Sequence, residues 1–136
     1  MMSNNSDVCI TDGDTDALKA LRENLEHNRQ KEGKVSCTQL LWGNQTTNDF
    51  LHFNGQQKYD LILASDIVYT DVVIKPLWET VRLLLSRDGV FLFAYCSRRD
   101  VPVTIDLVLQ ASTDAGFSHD CVDDRDGVLV YLFRWK

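Results

Sequence analysis

Two prolines in 136 residues leave no proline-rich linker, and no low-complexity tract or repeat divides the chain, so a single domain over 1–136 is expected. No apolar run approaches the roughly 18 residues of a membrane-spanning helix. The polar start, Met1 to Asp7, has no basic-then-apolar leader pattern. No membrane association is expected, and the expected location is cytoplasmic. Basic residues are in the minority: 14 Lys and Arg against 20 Asp and Glu give a net charge of −6. That balance excludes a general binder of nucleic-acid phosphates, while leaving room for a basic partner. Cys9, Cys37, Cys96 and Cys121 form no CxxC pair, and His27, His52 and His119 are scattered. No metal site is expected; buried free thiols in a reducing compartment are the preferred reading. Neither GxxxxGK nor GxGxxG occurs, which excludes a cofactor held by a glycine-rich phosphate loop.

What is present is ordinary for a soluble globular chain: 44 % hydrophobic and 25 % charged residues. The chain can bury about two-thirds of its unfolded surface. Val8 to Thr11 reads as a short buried strand stopped by Asp12 and Gly13. Asp14 or Thr15 caps a helix whose apolar face is Ala17, Leu18, Leu21 and Leu25, ending within Asn28 to Gly33. Val35 to Trp42 is a second strand, and Asn44 to Gln57 reads as a loop with a short helix. Tyr59 to Val68 is the strongest strand, continuously apolar through Leu61–Ala64 as in a strand covered on both faces. Pro76 suits a helix's first turn, with Leu77, Val81, Leu84 and Leu85 on its face, and Asp88-Gly89 reads as a turn. Val90 to Cys96 is a central-type strand; Pro102 opens a helix running to about Ala115, terminated by Gly116. Phe117–Val122 and Val128–Arg134 read as a closing antiparallel hairpin joined by Asp123 to Gly127. Strands alternating with helices predict an α/β, doubly wound, mostly parallel sheet with helices on both faces.

Ligands of such sheets bind beyond the carboxyl ends of the strands. Those ends hold Asp12, Trp42 with Gly43, Asp66 with Tyr69, and Tyr95 with Arg98. Each also has a plain structural reading: Asp12 as a turn or cap residue, Trp42 as core, Asp66 as a cap, Arg98 and Arg99 as a solvated edge. Together they suit a nucleoside-type cofactor. A carboxylate after a strand accepts both ribose hydroxyls, which fits Asp12. Trp42 offers an aromatic face to adenine, and Ala64 and Ser65 present backbone groups at the crevice.

In order, Thr11–Asp14 (TDGD), Leu40–Gly43 (LLWG), Leu61–Tyr69 (LILASDIVY) and Phe93–Arg99 (FAYCSRR) resemble the seven-strand S-adenosylmethionine-dependent methyltransferases. More narrowly, the set resembles the protein-lysine methyltransferases that modify calmodulin, chaperones and elongation factors. Their Asp-x-x-Tyr marker is matched by Asp66-Ile67-Val68-Tyr69. The resemblance runs from Val8 onward and implies a Rossmann-like fold, S-adenosyl-L-methionine as cofactor and a protein lysine as substrate. It further implies Asp12 at the ribose, Trp42 near the adenine, and Ala64 and Ser65 as backbone contacts to the cofactor. It places Asp66 and Tyr69 at the catalytic mouth and Tyr95 in the acceptor channel.

The chain departs from that family in one respect. Members begin with a strand, a glycine-rich turn holding the cofactor's methionine part, and a helix. Only seven residues precede Val8, whereas a βαβ unit takes about 30. The expectation is therefore a fold missing its first strand and helix, preferred over a complete active enzyme. The missing strand would lie between those resembled by Val8–Thr11 and Tyr59–Val68. Those two then pair directly, receive another segment, or leave edges that invite self-association. Two rivals stand beside this reading. One is a non-catalytic interaction module that recruits a strand. The other is a receiver-like phospho-acceptor with Asp12, Asp14 and Asp66 as an acidic pocket, against which no lysine follows Val90–Cys96.

Overall fold

Parallel strands cannot be joined by a tight turn; they need a crossover, and the chain begins with one. The computed structural model describes residues 6–28, 34–97 and 103–136, and divides into two units, Met1–Leu41 and Trp42–Lys136. In the first unit β1 (Val8–Asp12) lies parallel to β2 (Val35–Gln39), from Val8 opposite Val35 to Asp12 opposite Gln39. Helix α1 (Thr15–His27) is the crossover. Asp14 starts it, its carboxylate accepting from the backbone N–H groups of Asp16 (2.7 Å) and Ala17 (3.1 Å); such a cap is worth about 1 kcal/mol. Leu18 from the expected apolar stripe is the buried residue of α1. Only Asn28 of the expected terminator Asn28–Gly33 lies among the described residues.

The second unit carries α2 (Asn44–Phe53), β3 (Tyr59–Ser65), a 3-10 turn (Asp71–Val73), α3 (Ile74–Leu84), β4 (Leu85–Cys96), α4 (Ile105–Asp114), β5 (Phe117–Arg125) and β6 (Val128–Trp135). Its sheet has the order β3-β4-β6-β5. β3 and β4 are parallel, while β4–β6 and β5–β6 are antiparallel. The terminal hairpin turns on Asp126 and Gly127, with φ of 53° and 80°. Two positive values at adjacent positions make the Asp-Gly turn whose twist matches the flanking strands. The expected five-residue turn is thus a two-residue one, because the strands extend to Arg125 and from Val128.

The core lies on one face of this sheet. Trp78 of α3 is 2 % exposed and meets the rings of Phe91, Phe117 and Phe133 at 5.7, 5.3 and 4.8 Å. Val81, Val108 and Phe93 close the cluster, so α3 and α4 cover the same face. The expected covering of β3 on both faces does not hold: Leu61 and Leu63 are 52 % and 67 % exposed. The apolar run was read as doubly buried because Ile62 and Ala64, which do face the core, alternate with leucines that do not.

Three further expectations change. Asp88-Gly89 is not a turn but part of β4, where four residues (Ser86 to Gly89) bulge opposite Asp60 between the Tyr59–Leu85 and Leu61–Val90 pairs. The bulge holds because Ser86 donates to the Asp60 carboxylate at 2.7 Å, and Gly89 suits its tight packing, where a Cβ would lie 2.8 Å from Leu85 Cδ1, 2.9 Å from Ser86 Oγ and 3.1 Å from the Asp60 carbonyl. Leu85 consequently opens β4 instead of closing the α3 face. The four cysteines are free, as expected, but Cys9, Cys37 and Cys96 are half-buried and Cys121 is exposed. The expected helix opening at Pro102 lies outside the described residues; α4 begins at Ile105. Among the described residues the strands β1 and β3 do not pair, each bonding a single neighbour. No described helix is long and apolar enough to cross a membrane.

Candidate active site

Each expected site residue sits at or just beyond the end of an element, and the local reason differs. In the first unit Asp12 ends β1. Its backbone carbonyl accepts from Leu40 N–H (3.0 Å), and its Oδ1 accepts from Asp14 N–H (2.8 Å). The carboxylate is therefore oriented by its own turn, so the turn role and a ligand role are compatible. Gln39 donates to the Gly13 carbonyl at 2.9 Å and fastens the same turn to β2.

In the second unit the Asp-x-x-Tyr segment leaves the carboxyl end of β3. The Asp66 N–H still bonds the Ala94 carbonyl of β4 at 3.1 Å. There the backbone swings into the left-handed region, with φ of 56° at Asp66. Aspartate tolerates that conformation better than most residues. The two intervening positions are apolar anchors: Val68 is buried and Ile67 packs on the same core. Those anchors leave Asp66 half-buried and Tyr69 49 % exposed. The four-residue marker thus has a folding explanation of its own.

Ala64 and Ser65 lie in register with Phe93 and Ala94. With Leu63, Leu92, Ala94 and Val130 they line an open hollow of about 260 Å³. Tyr95 is half-buried, and its hydroxyl donates to the Val103 carbonyl at 2.9 Å. That bond ties the end of β4 to the approach to α4. Trp42 is half-buried against the core cluster, and Gly43 after it has φ of 132°, a value that favours glycine. Arg98 and Arg99 lie outside the described residues.

Sequence reading missed what holds Trp42 and Gly43. Thr80 of α3 accepts the Gly43 N–H at 2.9 Å, and its hydroxyl is 2.8 Å from that of Thr47, both threonines being buried. The available signal was Thr80 itself, a polar residue three after Leu77 and four before Leu84, on the apolar stripe of α3. The pair Asp123–Arg125 near the hairpin turn is exposed (2.6 Å), and each lowers or raises the other's pKa in the expected sense; it contributes little to stability. Burial, with the Cys121, Asp106 and Asp124 charges behind it, raises the Tyr131 phenol above its ordinary range. Among the described residues no three His, Cys, Asp or Glu side chains cluster as a metal site would need.

Comparison with known proteins bears on this geometry. The protein-lysine N-methyltransferase EFM3 of Chaetomium thermophilum is 31 % identical over 83 % of this chain and 34 % of its own. The protein N-lysine methyltransferase METTL21A of Danio rerio is 38 % identical over 65 % of this chain and 39 % of its own. The Kluyveromyces lactis protein N-terminal and lysine N-methyltransferase EFM7 is 27 % identical over 90 % of this chain and 49 % of its own. The chain thus spans half or less of the length of these relatives. Among solved structures, the DhpI–SAH complex superposes with a TM-score of 0.67 at 18 % identity, over 96 % of this chain and 66 % of that one. The SAM-bound magnesium protoporphyrin IX methyltransferase of Synechocystis gives 0.64 at 12 % identity, over 95 % and 60 %. These show a Rossmann-like α/β methyltransferase fold. A model of the family described as lysine methyltransferase matches residues 1–109, and the chain belongs to that family.

Proposed function

We propose that this chain is a protein-lysine methyltransferase-like domain that binds the adenosine part of S-adenosyl-L-methionine and carries the lysine side of the reaction. The observation that carries the reading is the Asp66–Tyr69 segment, held at the carboxyl end of β3 by the Asp66–Ala94 hydrogen bond and by Val68 in the core. The proposed contacts are Asp12 to the ribose in the first unit and, in the second, Trp42 to the adenine and the Ala64–Ser65 backbone to the cofactor. The cofactor, when bound, supplies an electrophilic methyl group on a sulfonium.

The chain's own residues act on the amine. Lysine attacks only when neutral, against an ordinary pKa of about 10.4, so its ammonium gives a proton to water before attack, a loss that burial of the amine favours. Tyr69 offers a ring face to the stem and the cation, and Asp66 accepts a charge-assisted hydrogen bond from the amine and fixes its direction. Tyr95, its hydroxyl held by Val103, lends a fixed aromatic wall. Rate then comes chiefly from alignment. The surplus of acid, a net −6, favours a basic substrate segment.

No glycine-rich turn of the kind that holds the methionine part occurs in the 136 residues. The expected result is therefore weak binding in which methylthioadenosine, lacking the amino acid, binds within about threefold of S-adenosylhomocysteine, equivalent to about 0.7 kcal/mol. Calorimetry compares the two. A hundredfold preference for S-adenosylhomocysteine, together with methyl transfer by this chain, contradicts the adenosine-only part. Failure of both ligands to bind removes the cofactor reading.

The edge of β3, which among the described residues bonds only β4, favours a second reading, association with a second copy of the chain. Leu61 to Ala64 contain no proline, lysine or glycine, the usual protections of an edge. Antiparallel self-pairing centred on Ile62 places Leu61 opposite Leu63 and Asp60 opposite Ala64, with no like charges facing. Such a pair uses up the edge and closes as a dimer. Like net charges oppose it, so added salt strengthens it. Light scattering is expected to show a dimer that Leu63→Lys converts to monomer. A monodisperse monomer at high salt, or a dimer indifferent to Leu63→Lys, rejects it.

A further inference from the structure

The N-terminus of α2 has donors and no side-chain cap of its own, because its cap residue is Gly43. Helix-start N–H groups that are turned from water need acceptors. Here they come from two consecutive residues of another helix. Thr80 Oγ1 of α3 accepts from Gly43 N–H at 2.9 Å, and Glu79 Oε2 accepts from Asn44 N–H at 3.3 Å. Thr80 is 4 % exposed, and its hydroxyl is shared with Thr47, itself fully buried. Gly43 cannot readily be replaced as the pivot, since its φ of 132° is strained for any side chain. The segment fixed in this way is the one that carries Trp42.

We infer that Thr80, assisted by Glu79, is a positioning residue for Trp42 and thereby sets affinity for the adenine of the cofactor. The inference rests on the proposed adenine role of Trp42. Thr80 touches neither the cofactor nor the acceptor; it acts through the Gly43 backbone. Thr47 is different in kind: its hydroxyl bonds that of Thr80 and accepts nothing from Gly43 N–H. Removing the Thr80 acceptor leaves the Gly43 N–H unpaired in a half-buried place, and the Trp42–Gly43 hinge is released. Removing the Thr47 hydroxyl weakens the helix pair but leaves the hinge bonded.

The test compares Thr80→Val, Thr80→Ser and Thr47→Val in the full chain, with S-adenosylhomocysteine as the probe. Two readouts are taken: calorimetric affinity, and the emission of Trp42, isolated by difference from the Trp42→Phe protein. Thr80→Val is expected to weaken binding about tenfold and to red-shift Trp42 emission, and Thr80→Ser to restore both. Thr47→Val is expected to lower the melting midpoint while affinity stays within about twofold. If Thr80→Val folds, binds like the parent and leaves Trp42 emission unchanged, the positioning role is wrong. Equal losses of affinity in Thr80→Val and Thr47→Val also overturn it, by reducing both to stability. Where Thr80→Val does not fold, Glu79→Gln, which keeps an acceptor, and Glu79→Ala, which removes it, give the same comparison at Asn44. If the parent chain binds no probe, the adenine reading fails, and the hinge is judged by Trp42 emission alone.

Discussion

Trp78→Ala is expected to cost about 3–5 kcal/mol, the range for deleting a fully buried aromatic. Trp78 is 2 % exposed and touches Phe91, Phe117 and Phe133, which belong to three different strands. Its loss therefore opens a cavity where α3, β4, β5 and β6 meet. A domain of this size has a total stability of about 5–15 kcal/mol, so the variant is expected to sit near its unfolding threshold at room temperature. Urea unfolding followed by far-ultraviolet circular dichroism is the measurement. A midpoint within error of the parent would show that the sheet's packed face is not where this unit's stability resides. Trp78→Phe sharpens the test. It keeps much of the ring contact and removes an indole N–H that has no hydrogen-bond partner among the described residues. Its expected loss is about 1 kcal/mol, well below that of alanine, because an unpaired buried donor is itself unfavourable.

The sequence made the packed face legible and hid the open one. Phe91, Phe93 and Phe133 lie in the segments read as strands, and the structure shows that they occupy the packed face of β4 and β6. Leu61 and Leu63 carry the same hydrophobic signal as Ile62, and only the three-dimensional placement of α3 and α4 on one side separates them. Hydrophobicity reports a tendency to be covered, not the presence of a cover. The Asp88-Gly89 reading failed for a related reason. The dipeptide favours a turn locally, but Ser86 and Asp60 bind across to β3 and absorb it as a bulge, an instance of tertiary contacts overriding local preference. The positions of Asp12, Trp42, Asp66 and Tyr69 beside the ends of elements were legible because such ends can be read one element at a time; their roles at a cofactor and an amine belong to the proposed function. Thr80 was not, because its role is a hydrogen bond to Gly43, 37 positions away, and nothing in local periodicity encodes such a pairing.

Asp66→Asn is expected to lower the methyl-transfer turnover number at least about a hundredfold, equivalent to about 2.7 kcal/mol of transition-state stabilisation. The substitution is chosen for its backbone. Asp66 holds φ of 56°, a conformation that asparagine adopts as readily as aspartate, whereas alanine would add strain of about 1–2 kcal/mol. Its N–H bond to Ala94 is a main-chain contact and survives the change. The negative charge is removed, and with it the carboxylate proposed to direct the lysine amine. S-adenosylhomocysteine affinity should therefore stay near the parent's while turnover falls, measured as labelled methyl incorporated into protein lysine, with the melting temperature recorded beside it. Tyr69→Phe should fall much less, because the ring face proposed to meet the lysine is retained, and Tyr69→Ala should fall further. A full rate in Asp66→Asn would assign the Asp-x-x-Tyr segment to folding alone, with Ile67 and Val68 as the residues that matter. A loss of rate with no change in stability or cofactor affinity would place the Asp66 carboxylate at the reacting amine.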